Sequence, residues 1–149
     1  MIVLDTNVMS ELMETEAHES VLNWYTANEP RLLVTTAIAV AEIYRGIAIL
    51  PHGRKRRSLQ AQAEATLSLF AGRILVFDEI SAHFFADVSQ IRKSADRPIS
   101  MGDAMIAAIC RQHDLTLATR NVRDFEETGI TVVNPWGSAT DLDDYSGMR

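Results

Sequence analysis

The chain has 149 residues, of which 47% are hydrophobic and 23% are charged, and its formal net charge is −6. These values predict one domain with a single core and argue against a protein that coats nucleic acid through bulk positive charge. We also expect a cytoplasmic protein without membrane association: Cys110 is the single cysteine, no apolar run approaches the ~18 residues of a membrane span, and the short apolar start is unlike a signal peptide.

Short apolar runs alternate with helical patterns along the chain. We predict strands at residues 2–5, 31–35, 73–77, 115–119 and 130–133. Helices are expected to start near Thr6 and to cover residues 17–28, 37–49, 54–71, 81–94 and 101–113, with a short helical turn at 120–127. The apolar runs are continuous, which predicts strands buried on both faces and a mainly parallel five-stranded sheet in a three-layer α/β/α domain. This domain is expected to span residues 1–136, and the polar, acidic residues 137–149 to form a loose tail.

Four acids are candidates for one metal site, because ligands of open parallel sheets bind beyond the carboxyl ends of the strands. Asp5 directly follows the first apolar run, Glu42 lies two turns into the helix after the second, Asp103 lies in the first turn of its helix, and Asp124 follows the fourth run. Carboxylates held close together repel one another unless a cation binds between them. Carboxylate oxygens favour Mg²⁺ or Mn²⁺, which activate water for attack on a phosphodiester.

Each acid also has a structural explanation that the sequence leaves open. Asp5 could cap the first helix, and Glu42 could form an ion pair with Arg45 one turn further on. Residues 100–103 (SMGD) match a capping box and residues 121–124 (NVRD) resemble one. Cys110 is expected to be a small buried hydrophobic residue. Four acids at matching places in the predicted fold are stronger evidence for a metal site than any one of them.

Several motifs of the sequence resemble those of a known family. Its acidic motifs are similar to those of the PIN domain at residues 1–8 (MIVLDTNV), 40–46 (VAEIYRG) and 102–108 (GDAMIAA), and the match continues through 117–125 (LATRNVRDF) and 132–136 (VVNPW). The chain resembles VapC-type toxins of type II toxin–antitoxin systems, especially their FitB-like branch. This resemblance implies an endonuclease for single-stranded RNA that depends on Mg²⁺ or Mn²⁺.

The resemblance also implies roles for particular residues. Asp5, Glu42 and Asp103 correspond to the acidic triad of the family. Many relatives carry a further acid where this chain has Asn121, so Asp124 is expected to be an outer ligand. The expected supporting residues are Thr6 and Asn7, Thr119, which could orient a water or phosphate, and Asn121 as a hydrogen-bond donor.

The implied partners are an RNA substrate and a small antitoxin whose C-terminal segment fills the groove near the acids. Relatives are usually homodimers and bind operator DNA only through the antitoxin. Residues 1–30 contain six acids and no lysine or arginine, which suits a basic antitoxin segment. The candidate RNA contacts are Arg45, Arg54, Lys55, Arg56 and Arg57, although the last four could equally be the solvated start of a helix.

Two other classes of protein remain open. A phosphatase of the haloacid dehalogenase type also begins with an apolar strand that ends in aspartate, but it normally needs a second aspartate where this chain has Asn7. A PIN-like module that only binds a partner protein is the other alternative. Metal-dependent RNA cleavage distinguishes both from a nuclease.

Overall fold

The computed structural model describes residues 1–137, which fold into a five-stranded sheet between two layers of helices. The strands are Ile2–Leu4 (β1), Leu33–Thr36 (β2), Ile74–Leu75 (β3), Thr116–Ala118 (β4) and Val132–Val133 (β5). The helices are Thr6–Met13 (α1), Glu19–Ala27 (α2), Ala37–Ala48 (α3), Arg54–Ser68 (α4), Glu79–Ser94 (α5) and Met101–His113 (α6), with 3-10 turns at Pro30–Leu32 and Val122–Phe125. The predicted acidic tail lies outside the described residues, apart from Gly137.

Every strand pair in this sheet is parallel, and the strand order is β3-β2-β1-β4-β5. The chain therefore adds β2 and β3 on one side of β1 and then returns to add β4 and β5 on the other. The carboxyl ends of β1 and β4 flank this reversal, which is where open parallel sheets bind ligands. The predicted three-layer parallel fold is confirmed, and Asp5 and Thr119 directly follow the two strands at the reversal.

Two hydrophobic cores lie on opposite faces of the sheet, because successive strand residues point to opposite sides. Leu4 and Leu33 face helices α1 to α4, whereas Val3 and Val34 face α5 and α6. The central strands are thus buried on both faces, as their continuous apolar runs predict. Cys110 is fully buried in α6, and burial raises the pKa of its thiol, in keeping with a small hydrophobic residue.

The edge strand β3 is where the sequence prediction is wrong. It pairs only with the last two residues of β2 and covers two residues instead of the predicted five. Val76, just beyond it, is 61% exposed, so the inference of burial on both faces fails for this strand. Strand β2 also begins at Leu33 instead of Arg31, because Pro30 starts a 3-10 turn. The other helix and strand ends differ from the predictions by a few residues.

Three helices begin at the carboxyl edge of the sheet or beside it. Asp5 is the N-cap of α1, Thr36 caps α3 by accepting a hydrogen bond from the Ala39 N–H, and Ser100 caps α6. Polar capping residues at helix starts satisfy backbone N–H groups that lack partners within the helix. These starts bring side chains from distant parts of the chain to one edge. Within residues 1–137, no helix is long and apolar enough to cross a lipid bilayer.

Candidate active site

Asp5 is 4% exposed and is held by three hydrogen bonds. Its Oδ1 accepts from the Thr6 N–H at 2.8 Å, and its Oδ2 accepts from the Thr119 hydroxyl at 2.6 Å and from Asn7 Nδ2 at 3.2 Å. A carboxylate offers about four acceptor positions, so these bonds leave one position on Oδ1 for a further ligand. Asp5 is therefore both the cap of α1 and a fixed, incompletely saturated oxygen donor.

Asn7 connects the ends of β1 and β4. Its Nδ2 also donates to the Thr119 hydroxyl oxygen at 3.0 Å, and its Oδ1 accepts from the Arg120 N–H at 3.1 Å. Thr119 accepts a further bond from the backbone N–H of Asn121 at 3.1 Å. The hydroxyl hydrogen of Thr119 is directed to Asp5, so this residue orients the carboxylate, whereas the sequence suggested contact with water or phosphate. Asn121 is exposed, and it acts as a donor through its backbone N–H.

Glu42 lies half-buried on α3 and accepts a hydrogen bond from the Thr6 hydroxyl. Within the described residues it makes no ion pair with Arg45, which is exposed, so the pairing that the sequence left open is not formed. Glu42 also lies against the first turn of α6, since a Cβ added at Gly102 would overlap Glu42 Oε1. The absence of a side chain at Gly102 thus leaves room for this carboxylate beside Asp103.

The capping boxes that the sequence suggested for Asp103 and Asp124 are not formed, although a side-chain hydrogen bond with Ser100 lowers the pKa of Asp103 against the effect of burial. Ser100 Oγ accepts from the Asp103 N–H at 3.2 Å, but no return bond runs from the Ser100 N–H to the Asp103 side chain in the described structure. Asn121 likewise makes no side-chain cap for the 3-10 turn that carries Asp124. Asp103 is half-buried and Asp124 is exposed.

The pKa values show that these acids act on one another. Burial raises the pKa of Asp5 to about 6, with smaller contributions from Asp103 and Glu42, while the hydrogen bonds from Thr119 and Thr6 oppose the rise. Burial also raises the pKa of Asp103, and the charges of Asp124 and Glu42 raise it further. The fold therefore places all four predicted acids within electrostatic reach of a neighbour, and a bound cation would relieve this repulsion.

The donor chemistry fits a hard divalent cation, but the side chains are not gathered around one point. In the part of the chain that the structure describes, no three carboxylate, imidazole or thiol groups are arranged to hold a metal ion together. Asp5 has an open acceptor position, whereas Glu42 is held by the Thr6 hydroxyl. Binding a metal ion would therefore require side-chain rotation, and the assignment of these acids as ligands stays a prediction. Oxygen ligands of this kind favour Mg²⁺ or Mn²⁺.

The predicted basic cluster begins α4, beyond the end of α3 that is remote from Thr36. The 12 residues of α3 span about 18 Å, and Glu42 lies about 9 Å along the helix from that end. Arg56 is half-buried, and its Nη1 donates to the Leu50 carbonyl at 3.4 Å. This contact explains one cation at a helix start, where the helix dipole disfavours positive charge.

Arg92 is a site neighbour that the sequence analysis missed. It is 5% exposed on α5, and its Nη1 donates to the Glu126 carbonyl at 2.8 Å. Its positive charge lowers the pKa of Asp103, against the larger effect of burial. The available signal was its position one helical turn after the buried Val88, on the face of α5 that packs inward.

Comparison with known proteins identifies the family. The model of the PIN domain matches residues 2–130, and the chain belongs to the PIN-domain family. Toxin FitB of Neisseria gonorrhoeae is 40% identical over 137 residues, covering 91% of this chain and 99% of that protein. VapC ribonuclease Y4jK of Sinorhizobium fredii is 39% identical over 140 residues, covering 93% of this chain and 100% of that protein. The predicted resemblance to the PIN family is thus confirmed.

Solved structures give the same result. A chain in the structure of FitAB bound to an IR36 DNA fragment superposes with a TM-score of 0.86 at 39% identity, covering 93% of this chain and 97% of that one. A chain of DNA-bound VapBC from Salmonella typhimurium has a TM-score of 0.77 at 21% identity, covering 90% of this chain and 97% of that one. The second likeness shows the fold alone.

Proposed function

We propose that this chain is the ribonuclease toxin of a toxin–antitoxin pair, an endonuclease that hydrolyses phosphodiester bonds of single-stranded RNA with Mg²⁺ or Mn²⁺. The observation that carries the proposal is the arrival of Asp5, Glu42 and Asp103 from three distant parts of the chain at one edge of the sheet. The raised pKa values of Asp5 and Asp103 support it, because carboxylates whose pKa is shifted by burial and by neighbouring charges are enriched at functional centres. Family membership and the named relatives support the reaction type.

In the proposed mechanism, Asp5, Glu42 and Asp103 would hold the cation, with Asp124 as an outer ligand. A divalent cation supplies Lewis acidity toward the phosphate and makes water a better nucleophile at neutral pH. Thr119 and Asn7 fix the orientation of the Asp5 carboxylate, and Thr6 connects Asp5 to Glu42 through its N–H and hydroxyl. Asp5 must be deprotonated to act as a ligand, so the affinity for the metal ion should fall as the pH falls below about 6.

The proposed partners are an antitoxin, a second copy of the chain, and operator DNA bound through the antitoxin. Support comes from the solved complexes of relatives, which include FitAB on DNA and FitAcB from Neisseria gonorrhoeae, the latter 40% identical with a TM-score of 0.85. Four of the six acids in residues 1–30 are exposed, which suits a basic antitoxin segment: Glu14, Glu16, Glu19 and Glu29.

The proposal is tested by incubating the purified chain with single-stranded RNA and Mg²⁺ or Mn²⁺. Cleavage should occur in the wild type, stop with EDTA, and stop in Asp5→Asn and Asp103→Asn. The matched control is Asp87→Asn, which removes an exposed carboxylate from α5 and should leave cleavage unchanged. Circular dichroism should show that all variants are folded. Full activity in a folded Asp5→Asn or Asp103→Asn variant would contradict the proposed site.

A non-catalytic PIN-like module is the second candidate, and one observation favours it: residues 1–137 contain no metal-binding group of three side chains already assembled. Such a module would bind antitoxin without cleaving RNA in any divalent metal, and the same assay distinguishes it. The phosphatase alternative loses its support, because the family is PIN and Asn7 serves as the link between Asp5 and Thr119.

A further inference from the structure

Arg120 and Trp136 form a cation–aromatic pair that has no role in the site described so far. The guanidinium carbon of Arg120 lies 5.2 Å from the centroid of the Trp136 ring. Arg120 is exposed, whereas Trp136 is half-buried and packs against the core between the sheet and α1 to α4. The ring is therefore anchored in the fold and the charged group is presented to solvent.

This pair lies at the same edge of the sheet as the acids. The Arg120 N–H donates to Asn7 Oδ1, and Asn7 donates to Asp5, so the backbone of Arg120 is two hydrogen bonds from the Asp5 carboxylate. The neighbouring strand β5 delivers Trp136 to this place, since the Thr119 N–H donates to the Val133 carbonyl at 2.9 Å. A turn then positions the ring, in which Asn134 Oδ1 accepts from the Trp136 N–H at 3.0 Å.

The charge of Arg120 is available to a ligand. No carboxylate of residues 1–137 lies within ion-pair distance of its guanidinium. A metal ion at the acids would neutralise the scissile phosphate, whereas the flanking phosphates of the RNA backbone need a further cation nearby. The basic residues at the start of α4 lie beyond the remote end of α3, whereas Arg120 directly follows Thr119. A guanidinium can bind phosphate through its edge and stack through its flat face.

We propose that Arg120 and Trp136 form an RNA-binding subsite next to the scissile phosphate. The edge of the Arg120 guanidinium contacts a flanking backbone phosphate. Trp136 contacts one face of the Arg120 guanidinium, and the other face of the guanidinium stacks against an unpaired base. Bases in a duplex are already stacked on each other, so this subsite favours single strands. The inference rests on the proposed ribonuclease function and deepens it by naming the residues that bind substrate.

Binding to a short, fluorescein-labelled single-stranded RNA of mixed sequence tests this subsite. Measurements use fluorescence anisotropy with Mg²⁺ in an Asp5→Asn background, so that the probe is not cleaved. Arg120→Ala should weaken binding about 10-fold. It should also reduce the slope of log affinity against log salt by about 0.7, the value for one phosphate contact on a single strand. Arg120→Lys should keep the salt slope but lose the affinity that comes from stacking.

The control is Arg31→Ala, which removes the same charge from an exposed arginine that pairs with Glu29 and precedes the amino end of β2, away from the acids. It should change neither affinity nor salt slope. In the otherwise wild-type chain, Arg120→Ala should raise KM with little change in kcat, and its urea midpoint should match the wild type. Trp136→Phe keeps an aromatic ring in place and should weaken RNA binding less than Arg120→Ala.

Distinct results overturn the subsite and the proposed function. If the wild type cleaves RNA while Arg120→Ala and Arg31→Ala have equal affinity and salt slope, the subsite is wrong and the nuclease function stands. If Arg120→Ala weakens binding to the antitoxin but not to RNA, the surface belongs to the protein interface and the subsite is again wrong. Failure of the wild type to cleave any RNA with Mg²⁺ or Mn²⁺ would instead remove the proposed function.

Discussion

Replacement of Asp5 by asparagine should change the free energy of unfolding by an amount that becomes more favourable as the pH rises from 5 to 8. Because the pKa of Asp5 is raised from 3.8 to about 6, the folded protein keeps a proton that the unfolded chain has released. The free energy of unfolding therefore falls as the pH rises through this range. The full loss corresponds to about 3 kcal/mol, of which roughly 1.4 kcal/mol falls between pH 5 and pH 8.

Asparagine removes this loss but breaks hydrogen bonds. In either orientation its NH₂ group faces a donor, because Oδ1 accepts from the Thr6 N–H and Oδ2 accepts from Thr119 and Asn7. Two hydrogen-bond donors that face each other in this way cost about 1–3 kcal/mol, and this cost does not depend on pH. The pH-dependent part of the difference between the two proteins thus isolates the charge of Asp5 from its hydrogen bonds.

Urea unfolding of both proteins at pH 5, 6, 7 and 8, in EDTA, measures this difference. Relative to the wild type, Asp5→Asn should gain about 1.4 kcal/mol between pH 5 and pH 8. The exposed Asp87, replaced in the same way, controls for the loss of one surface carboxylate. A difference between wild type and Asp5→Asn that is constant with pH, or that changes in the opposite direction, would refute the assignment of Asp5 as a destabilising buried acid.

Three further predictions concern the same site. Gly102→Ala should reduce cleavage because its Cβ displaces Glu42, and in urea unfolding its stability should stay close to that of the wild type, because the lost bond from the Thr6 hydroxyl to Glu42 offsets the helix propensity of alanine. Gly46→Ala on α3, where a Cβ meets nothing within 4 Å, should stabilise the protein without loss of activity. Adding Mg²⁺ or Mn²⁺ should raise the melting temperature more at pH 8 than at pH 5 in a thermal-shift assay, because the ligands bind deprotonated. Arg92→Met should raise the pKa of Asp103 further, since it removes the positive charge that lowers it, and an NMR titration of the Asp103 carboxyl checks this.

The sequence predicts the fold well where local and global signals agree. Continuous apolar runs identify β1, β2 and β4, which are the central strands and are buried on both faces. The same rule fails at β3, because an edge strand is defined by which strand lies beside it, and no local pattern states this. Its apolar residues after Leu75 read as a strand but have no partner to pair with.

The acidic site is predictable for a related reason. Asp5 follows β1 and Asp103 lies in the first turn of α6, whereas Glu42 lies in the middle of α3. A parallel sheet brings the starts of these three helices to one edge once the strand order is right. What the sequence does not contain is the spacing between helices. The contact of Glu42 with Gly102 depends on how closely α3 approaches α6, and the stack of Arg120 on Trp136 depends on β5 lying next to β4.

The buried negative charge of Asp5 explains why the site suits a cation. Every hydrogen bond to its carboxylate, from Thr6, Asn7 and Thr119, favours the ionised form. Even so, burial and the neighbouring acids keep its pKa near 6. The positive charge of Arg92 lowers the pKa of Asp103 but is not among the influences on the pKa of Asp5. Neutral donors are thus already in use at Asp5, and the open position on its Oδ1 is where a positive ion would supply the charge that the protein itself does not.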